Sequence, residues 1–268
     1  MRCVICRTAT TRDEPREHIL AEGLGNTEHI LRRGVVCGKC NNYFASKVEK
    51  PFLELLPIVA WRSNQAIPSK KGVVPMNRGV LMPGGALIET AGDAATGDIQ
   101  ISFSEEAINA VASMEICQII LPIPALVDPS RIVSRFVGKV GLEALANRFE
   151  QNDQWLDEMT DNPQLDELRR HVRYGQNVEW PVSVRRIYDI EAAWTEGSTQ
   201  SYQIIHEFDF LCLESNEIYF VLALFGQELV INMGGPTLDG WFDWLRRNDN
   251  LSPLHCGKNG NLETMLQA

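Results

Sequence analysis

Apolar side chains recur at helical spacing in five stretches of the chain. In the first stretch Phe44, Val48, Phe52 and Leu55 lie three or four residues apart, and Pro51 is expected to kink or divide the helix. The same spacing, with suitable start and stop residues, predicts helices in residues 42–63, 104–121, 129–149, 163–174 and 237–248.

Short β-branched runs between turn residues predict strands in two other regions. Residues 64–101 combine such runs with Gly and Pro and are expected to form hairpins. Alternating or apolar segments in residues 182–235 predict three or four antiparallel strands. We therefore predict the α+β class, with a small cysteine-rich module at residues 1–61 and a larger mixed helical and antiparallel-β body at residues 62–268.

Four of the seven cysteines form two Cys-x-x-Cys pairs near the N-terminus, namely Cys3, Cys6, Cys37 and Cys40. An odd number of cysteines argues against a disulfide framework, and two such pairs are typical of metal binding. Zinc prefers four thiolate or imidazole ligands in a tetrahedron. The pattern predicts a structural zinc ion, which would supply folding energy that so short a segment lacks. A redox pair is the alternative, but no βαβ pattern surrounds the cysteines.

A second group of polar residues accompanies the cysteines. Glu17 and His18 lie between the two pairs, and Asn41 and Asn42 follow the second pair directly. We expect residues 12–36 to form a hairpin that faces the start of a helix carrying the two asparagines. An imidazole can take a proton from water while carboxylate and amide oxygens hold a hard divalent cation, and this combination hydrolyses phosphodiesters.

The motif CVIC…REHIL…VVCGKCNN resembles the HNH endonuclease superfamily, whose ββα-metal fold is stapled by a four-cysteine zinc site. The resemblance covers the cysteine-rich module only. It implies that Glu17 is a metal ligand, His18 the general base and Asn41 the closing metal ligand, with Asn42 as its substitute if the register is shifted by one. The middle residue of the motif has no clear match.

The resemblance also implies cofactors and a substrate. The family uses one catalytic Mg²⁺ or Mn²⁺ ion, distinct from the zinc, and cleaves or nicks DNA. A free-standing nuclease of this kind would fit defence against phage or mobile elements. The fold that follows is a zinc-stapled ββα-metal module attached to the α+β body.

Charge is distributed unevenly along the chain, whose net charge is −10. Residues 1–50 contain nine Lys or Arg and six Asp or Glu, so they carry +3, whereas the remainder carries −13. Arg16, Arg32, Arg33 and Lys39 are therefore candidate contacts with DNA phosphates, and an ordinary solvated basic face is the alternative. The acidic body is expected to regulate, to bind a partner or to form a homodimer, which would supply two cleavage sites.

The chain contains no apolar run near the roughly 18 residues that a membrane helix needs. Met1 is followed by a polar and cysteine-containing segment, not by the apolar segment of a signal peptide. We therefore expect a cytoplasmic protein without a membrane partner.

Two other functional classes compete with the nuclease. The first is a catalytically inactive, zinc-finger-like module that binds nucleic acid or protein and tolerates loss of His18. The second is a RING-like adaptor, for which the Glu-His pair has no purpose. At the level of single residues, His18 could be a structural hydrogen-bonding residue and Asn41 only the N-cap of its helix.

Overall fold

The computed structural model of the chain describes residues 1–93, 95–96, 98–112, 118–121, 125–175, 179–190, 192, 194–195 and 201–255. The strands are β1 (Glu17–His18), β2 (Ile30–Leu31), β3 (Asn77–Met82), β4 (Ala86–Gly92), β5 (Ile99–Phe103), β6 (Gln118–Ile120), β7 (Ser183–Arg186), β8 (Trp194–Thr195), β9 (Ser201–Tyr202), β10 (His206–Cys212), β11 (Ile218–Leu224) and β12 (Gln227–Asn232). The α-helices are α1 (Gly38–Phe44), α2 (Lys50–Leu53), α3 (Leu56–Asn64), α4 (Glu105–Ala112), α5 (Arg131–Phe149), α6 (Asp153–Asp161), α7 (Asp166–Tyr174) and α8 (Asp239–Arg247). This mixture of helices and antiparallel strands confirms the predicted α+β class. None of the helices in the described ranges has the length and apolar character needed to cross a bilayer.

The chain divides into two compact units, each of them discontinuous in sequence. The first consists of Met1–Leu20, Glu28–Phe52 and Asp128–Ala268, and the second of Ala21–Thr27 and Leu53–Val127. This division differs from the domain boundary that the sequence predicts between residues 61 and 62. That boundary falls inside α3, a helix of the second unit. The cysteine-rich segment therefore shares a unit with most of the residues assigned to the body.

The core of the first unit is a four-stranded antiparallel sheet in the order β10-β11-β12-β7. Side chains alternate between the two faces of a strand, so Tyr219 and Val221 pack on one face with Trp241 of α8. The next residue, Phe220, lies on the other face, where a Cβ on Gly141 of α5 would come within 3.0 Å of its ring. Both faces are covered by helices, which explains why β11 is almost entirely apolar and why every residue of β12 is buried.

The turn between β11 and β12 depends on a glycine. Phe225 and Gly226 have φ angles of 52° and 71°, as the favoured two-residue hairpin turn requires. A Cβ on Gly226 would lie 2.2 Å from the carbonyl oxygen of Tyr188. We therefore expect Gly226→Ala to lower the free energy of unfolding by about 2 kcal/mol in urea denaturation. Gly235→Ala is the control, since no atom lies within 4 Å of the Cβ position there; equal stability of the two variants would contradict the prediction.

The helix predicted for residues 42–63 forms as several shorter segments. A π-helical segment, Ala45–Glu49, connects α1 to α2, and the backbone N–H of Lys50 donates to the carbonyl oxygen of Ala45. Pro51 follows directly; it has no N–H to donate, and its ring displaces the carbonyl four residues earlier. The helix then stops at Leu53, and α3 begins after Leu55, whose backbone is extended.

The second unit contains a four-stranded antiparallel sheet in the order β5-β4-β3-β6. Helix α4 packs on it through Ala107, and Ser104 caps the helix by accepting from the backbone N–H of Ala107 at 3.1 Å. The helix predicted for residues 104–121 is too long, because Gln118–Ile120 forms β6 and pairs with β3. The β-branched Ile119 and Ile120 thus adopt a strand conformation because they pair with β3, although their spacing in the sequence is helical. Residues 113–117 lie outside the described residues.

Candidate functional site

The four cysteines of the two Cys-x-x-Cys pairs come together in the first unit. The Sγ atoms of Cys3, Cys6, Cys37 and Cys40 all lie within 4.8 Å of one another, and those of Cys6 and Cys37 are 3.6 Å apart. The first pair lies in a tight turn, and the second begins α1, with Cys37 as the N-cap. Backbone N–H groups point at the sulfurs: Cys37 donates to Sγ of Cys3 and Cys40 to Sγ of Cys37, both at 3.4 Å.

This geometry fits a tetrahedral metal ion. Zinc–sulfur bonds of about 2.3 Å place the sulfurs of a tetrahedron about 3.8 Å apart. A hydrogen bond from the Cys40 thiol lowers the pKa of Cys3 to about 5, and the same hydrogen bond raises the pKa of Cys40 well above its ordinary value. Burial raises the pKa of Cys37 to about 11. The cluster could hold a metal ion and is consistent with a structural zinc site; among the described residues no other group of three or more His, Cys, Asp or Glu could do so.

Glu17 and His18 form the first strand of a short hairpin. Glu17 pairs with Leu31 and His18 with Ile30, and the backbone N–H of Ile19 donates to the carbonyl oxygen of His29 at 3.0 Å. Neighbouring side chains on a strand point to opposite faces, so the carboxylate and the imidazole diverge. Glu17 is buried, whereas His18 is half-buried. The order of elements from β1 through β2 to α1 is the hairpin followed by a helix that the sequence predicts.

The carboxylate of Glu17 is held by a buried lysine. Nζ of Lys139 on α5 lies 2.9 Å from Glu17, 2.8 Å from Glu49 and 2.9 Å from Glu143, and its side chain is fully buried. Although burial alone lowers the pKa of Lys139, the charges of Glu143, Glu17 and Glu49 raise it well above its ordinary value. Burial, with Glu17 nearby, also raises the pKa of Glu143 well above its ordinary value. We call these four residues the lysine–glutamate cluster.

The same ammonium group supports the backbone of the hairpin. Nζ of Lys139 donates to the carbonyl oxygen of His18 at 2.8 Å and to that of Ile19 at 3.2 Å. One side chain of α5 therefore fixes both the carboxylate of Glu17 and the main chain that carries His18. Sequence reasoning overlooked this contribution. The sequence does contain an indication of this buried cluster: the charged residues Lys139 and Glu143 lie four residues apart within the apolar pattern of α5.

Asn41 and Asn42 lie inside α1, close to the strand of Glu17. Nδ2 of Asn41 donates to the carbonyl oxygen of Arg16 at 2.9 Å, while Asn42 is exposed. The alternative role of Asn41 as a helix N-cap is wrong, because Cys37 is the N-cap of α1. The structure brings Asn41 next to the hairpin backbone, and the carboxylate of Glu17 is turned towards Lys139.

The four basic residues predicted to contact phosphates have different surroundings. Arg16 and Lys39 are exposed, and Arg33, also exposed, donates to the carbonyl oxygen of Glu14 at 3.1 Å. Arg32 forms an ion pair with Asp153 at 2.5 Å. Arg32 is thus the least available of the four for an external anion.

Comparison with known proteins gave no relative for this chain. No protein-family model matches it, and searches of curated proteins and of solved structures found no significant match.

Proposed function

We propose that the protein is a metal-dependent endonuclease of the HNH type that hydrolyses DNA phosphodiester bonds. The observation that carries this proposal is the arrangement of hairpin, helix and four-cysteine cluster within one unit. The hydrogen bond from Asn41 to the carbonyl oxygen of Arg16 joins the helix to the strand of Glu17 and His18. These residue types are the ones that phosphodiester hydrolysis needs, and they lie at positions that match the motif.

The proposed roles follow from the surroundings of each residue. The four cysteines hold a structural zinc ion, and His18 takes a proton from the attacking water. Asn41, with Asn42 beside it, offers amide oxygens to a Mg²⁺ or Mn²⁺ ion, which when bound would screen the phosphate charge and stabilise the leaving oxygen. Glu17 can join this ion only if its carboxylate exchanges Lys139 for the metal. If each copy of the chain cuts one strand, two copies would be needed to cut both strands of a duplex.

A second candidate function is a zinc-stabilised module that binds nucleic acid or protein without catalysis. The ion pair between Glu17 and Lys139 favours it, because a carboxylate buried against an ammonium group is a structural residue. In such a module the cysteine cluster would be essential and the imidazole of His18 dispensable.

Cleavage of supercoiled plasmid separates the two candidates. We expect zinc-loaded protein to cut the plasmid only when Mg²⁺ or Mn²⁺ is added, and His18→Ala to lower the cleavage rate by at least about 100-fold, because the general base is lost. His255→Ala removes an exposed histidine elsewhere in the unit and is the matched control. Zinc content and thermal unfolding must be the same in all three proteins.

Two outcomes would contradict the nuclease. One is a His18→Ala variant that cleaves as fast as the wild type, because the proposed base would then have no role. The other is a folded, zinc-loaded wild type that cuts neither DNA strand with any divalent cation, a result that favours the binding module.

A further inference from the structure

Two arginines of the first unit contact one tyrosine of α1, and a third arginine lies close to them. The guanidinium carbon of Arg173 on α7 lies 3.5 Å from the centre of the Tyr43 ring. Arg135 on α5 donates from Nη2 to the Tyr43 hydroxyl at 3.1 Å. Arg131 lies one helical turn before Arg135 on the same face of α5. We call Arg131, Arg135 and Arg173 the arginine cluster.

The end of α7 brings the arginine side chains close together. Gly175 closes this helix in the left-handed conformation, and a Cβ there would lie 3.3 Å from Nε of Arg131 and 3.3 Å from Nε of Arg135. Arg135 also donates to the carbonyl oxygen of Val172 from Nε at 3.1 Å and from Nη2 at 3.0 Å. The cluster is therefore positioned by the fold and is not a chance grouping of surface side chains.

Within the described residues, no carboxylate forms an ion pair with any of the three arginines of the cluster. Arginines elsewhere in the chain do pair with Asp or Glu, as shown by Arg2, Arg7, Arg32, Arg148, Arg169, Arg185 and Arg246. The chain has 35 acidic residues against 25 basic ones, so partners are plentiful. Three like charges held together without counter-charges favour an external anion.

One arginine of the cluster, Arg131, borders a cavity. A cavity of about 770 Å³ beside it is lined by Arg131 and Ser130, by the buried Trp180 and His171, and by the carboxylate-bearing Glu179. Arg131 is exposed, and Arg135 and Arg173 are half-buried, so part of each residue is accessible to solvent.

The arginine cluster contacts α1, the helix that also carries two residues of the candidate nuclease site. Tyr43 and Lys39 are four residues apart on α1 and share one face of the helix. Asn41 and Asn42, the proposed ligands of the catalytic ion, lie between them on the same helix. An extended polyanion that follows this face of α1 would meet Lys39 and the cluster, whereas Asn41, two residues from each of Lys39 and Tyr43, projects to the other side of the helix.

We propose that the arginine cluster, with Tyr43 and Lys39, binds the phosphate backbone of double-stranded DNA and holds it over α1. This inference rests on the proposed nuclease function and names the surface that receives its substrate. Guanidinium groups bind phosphate oxygens in a bidentate manner, and backbone contacts of this kind position a duplex without reading its sequence. The DNA-binding surface thus comes largely from α5 and α7, in the part of the chain whose overall charge is negative.

Binding of a short fluorescent DNA duplex, followed by anisotropy with zinc-loaded protein and no added Mg²⁺, tests the proposal without requiring cleavage. We expect Arg131→Ala and Arg173→Ala each to weaken binding about tenfold at low salt and to reduce the slope of log affinity against log salt concentration by about one. Arg246→Ala is the matched control, because this exposed arginine of α8 pairs with Asp243. Arg131→Lys and Arg173→Lys should retain most of the salt slope, since they keep the charge.

Failure of the proposed DNA-binding surface and failure of the proposed nuclease activity give different results. If the wild type binds the duplex and both alanine variants bind equally well with an unchanged salt slope, the arginine cluster is not the DNA surface, although His18-dependent cleavage could still occur. Tighter binding of an RNA duplex than of the DNA duplex would overturn the choice of DNA. If the arginine variants lose binding but His18→Ala leaves cleavage unchanged, the surface stands and the catalytic assignment fails.

Discussion

Replacing Cys40 with serine should release the metal ion and unfold the N-terminal part of the first unit. Cys40 is buried, and its sulfur lies within 4.8 Å of the other three. Structural zinc binds small peptides with an apparent free energy of about 10–16 kcal/mol. Even part of this is comparable to the whole stability of a domain, about 5–15 kcal/mol. We expect Cys40→Ser to lose its zinc in elemental analysis and to melt at a much lower temperature than the wild type.

The chain offers a matched control for this experiment. Cys212 is exposed at the end of β10, outside the cluster, so Cys212→Ser should keep one zinc ion per chain and the melting temperature of the wild type. A Cys40→Ser protein that keeps its zinc, or melts with the wild type, would show that the cluster is not a structural metal site.

Replacing Lys139 with methionine should destabilise the protein by about 3–5 kcal/mol, because breaking a buried ion pair leaves uncompensated charge. Methionine matches the length of the lysine stem but removes the ammonium group that faces Glu17, Glu49 and Glu143. It also removes the donor to the carbonyl oxygen of His18, so the hairpin should loosen. The free energy of unfolding in urea measures the first effect, and the protection of hairpin amides from hydrogen exchange measures the second.

Two further variants sharpen the test of Lys139. Lys47→Met replaces an exposed lysine of the π-helical segment between α1 and α2 and should change stability by less than about 0.5 kcal/mol. Adding Glu143→Leu to Lys139→Met removes one of the orphaned carboxylates and should recover part of the loss, giving a measurable coupling in a double-mutant cycle. A loss below about 1 kcal/mol in Lys139→Met would mean that the lysine–glutamate cluster contributes little to folding.

Local patterns were enough to predict the cysteine cluster and the hairpin before α1. Each Cys-x-x-Cys pair turns two sulfurs to one side within four residues, so its geometry depends only on residues that are neighbours in the sequence. Helix α5 and the strand pair β11 and β12 were also predictable, because the helix has apolar residues at helical spacing and the strands contain short apolar runs between turn residues. These features need little information from distant residues.

Features that depend on residues distant in the chain could not be predicted from the sequence. The partner of Glu17 is Lys139, more than 100 positions away, and nothing near Glu17 indicates that its carboxylate is buried. Helix α6 was not predicted, although Asn152 caps it by accepting from the backbone N–H groups of Gln154 and Trp155. The arginine cluster was hidden by the net negative charge of the surrounding segment. Net charge counts residues, whereas a binding surface depends on which of them meet in space.

The discontinuity of the first unit has a consequence for synthesis. Lys139 follows His18 by 121 residues, and at a translation rate of about 5–20 residues per second it is made roughly 6–24 seconds later. During this interval the nascent hairpin can bind metal through its cysteines but has no counter-ion for Glu17. We therefore expect the proposed active site to mature only after α5 has left the ribosome. A chain that stops at residue 61 would carry the zinc ligands and the histidine, yet it would lack the ammonium group that holds Glu17 and the backbone of the hairpin.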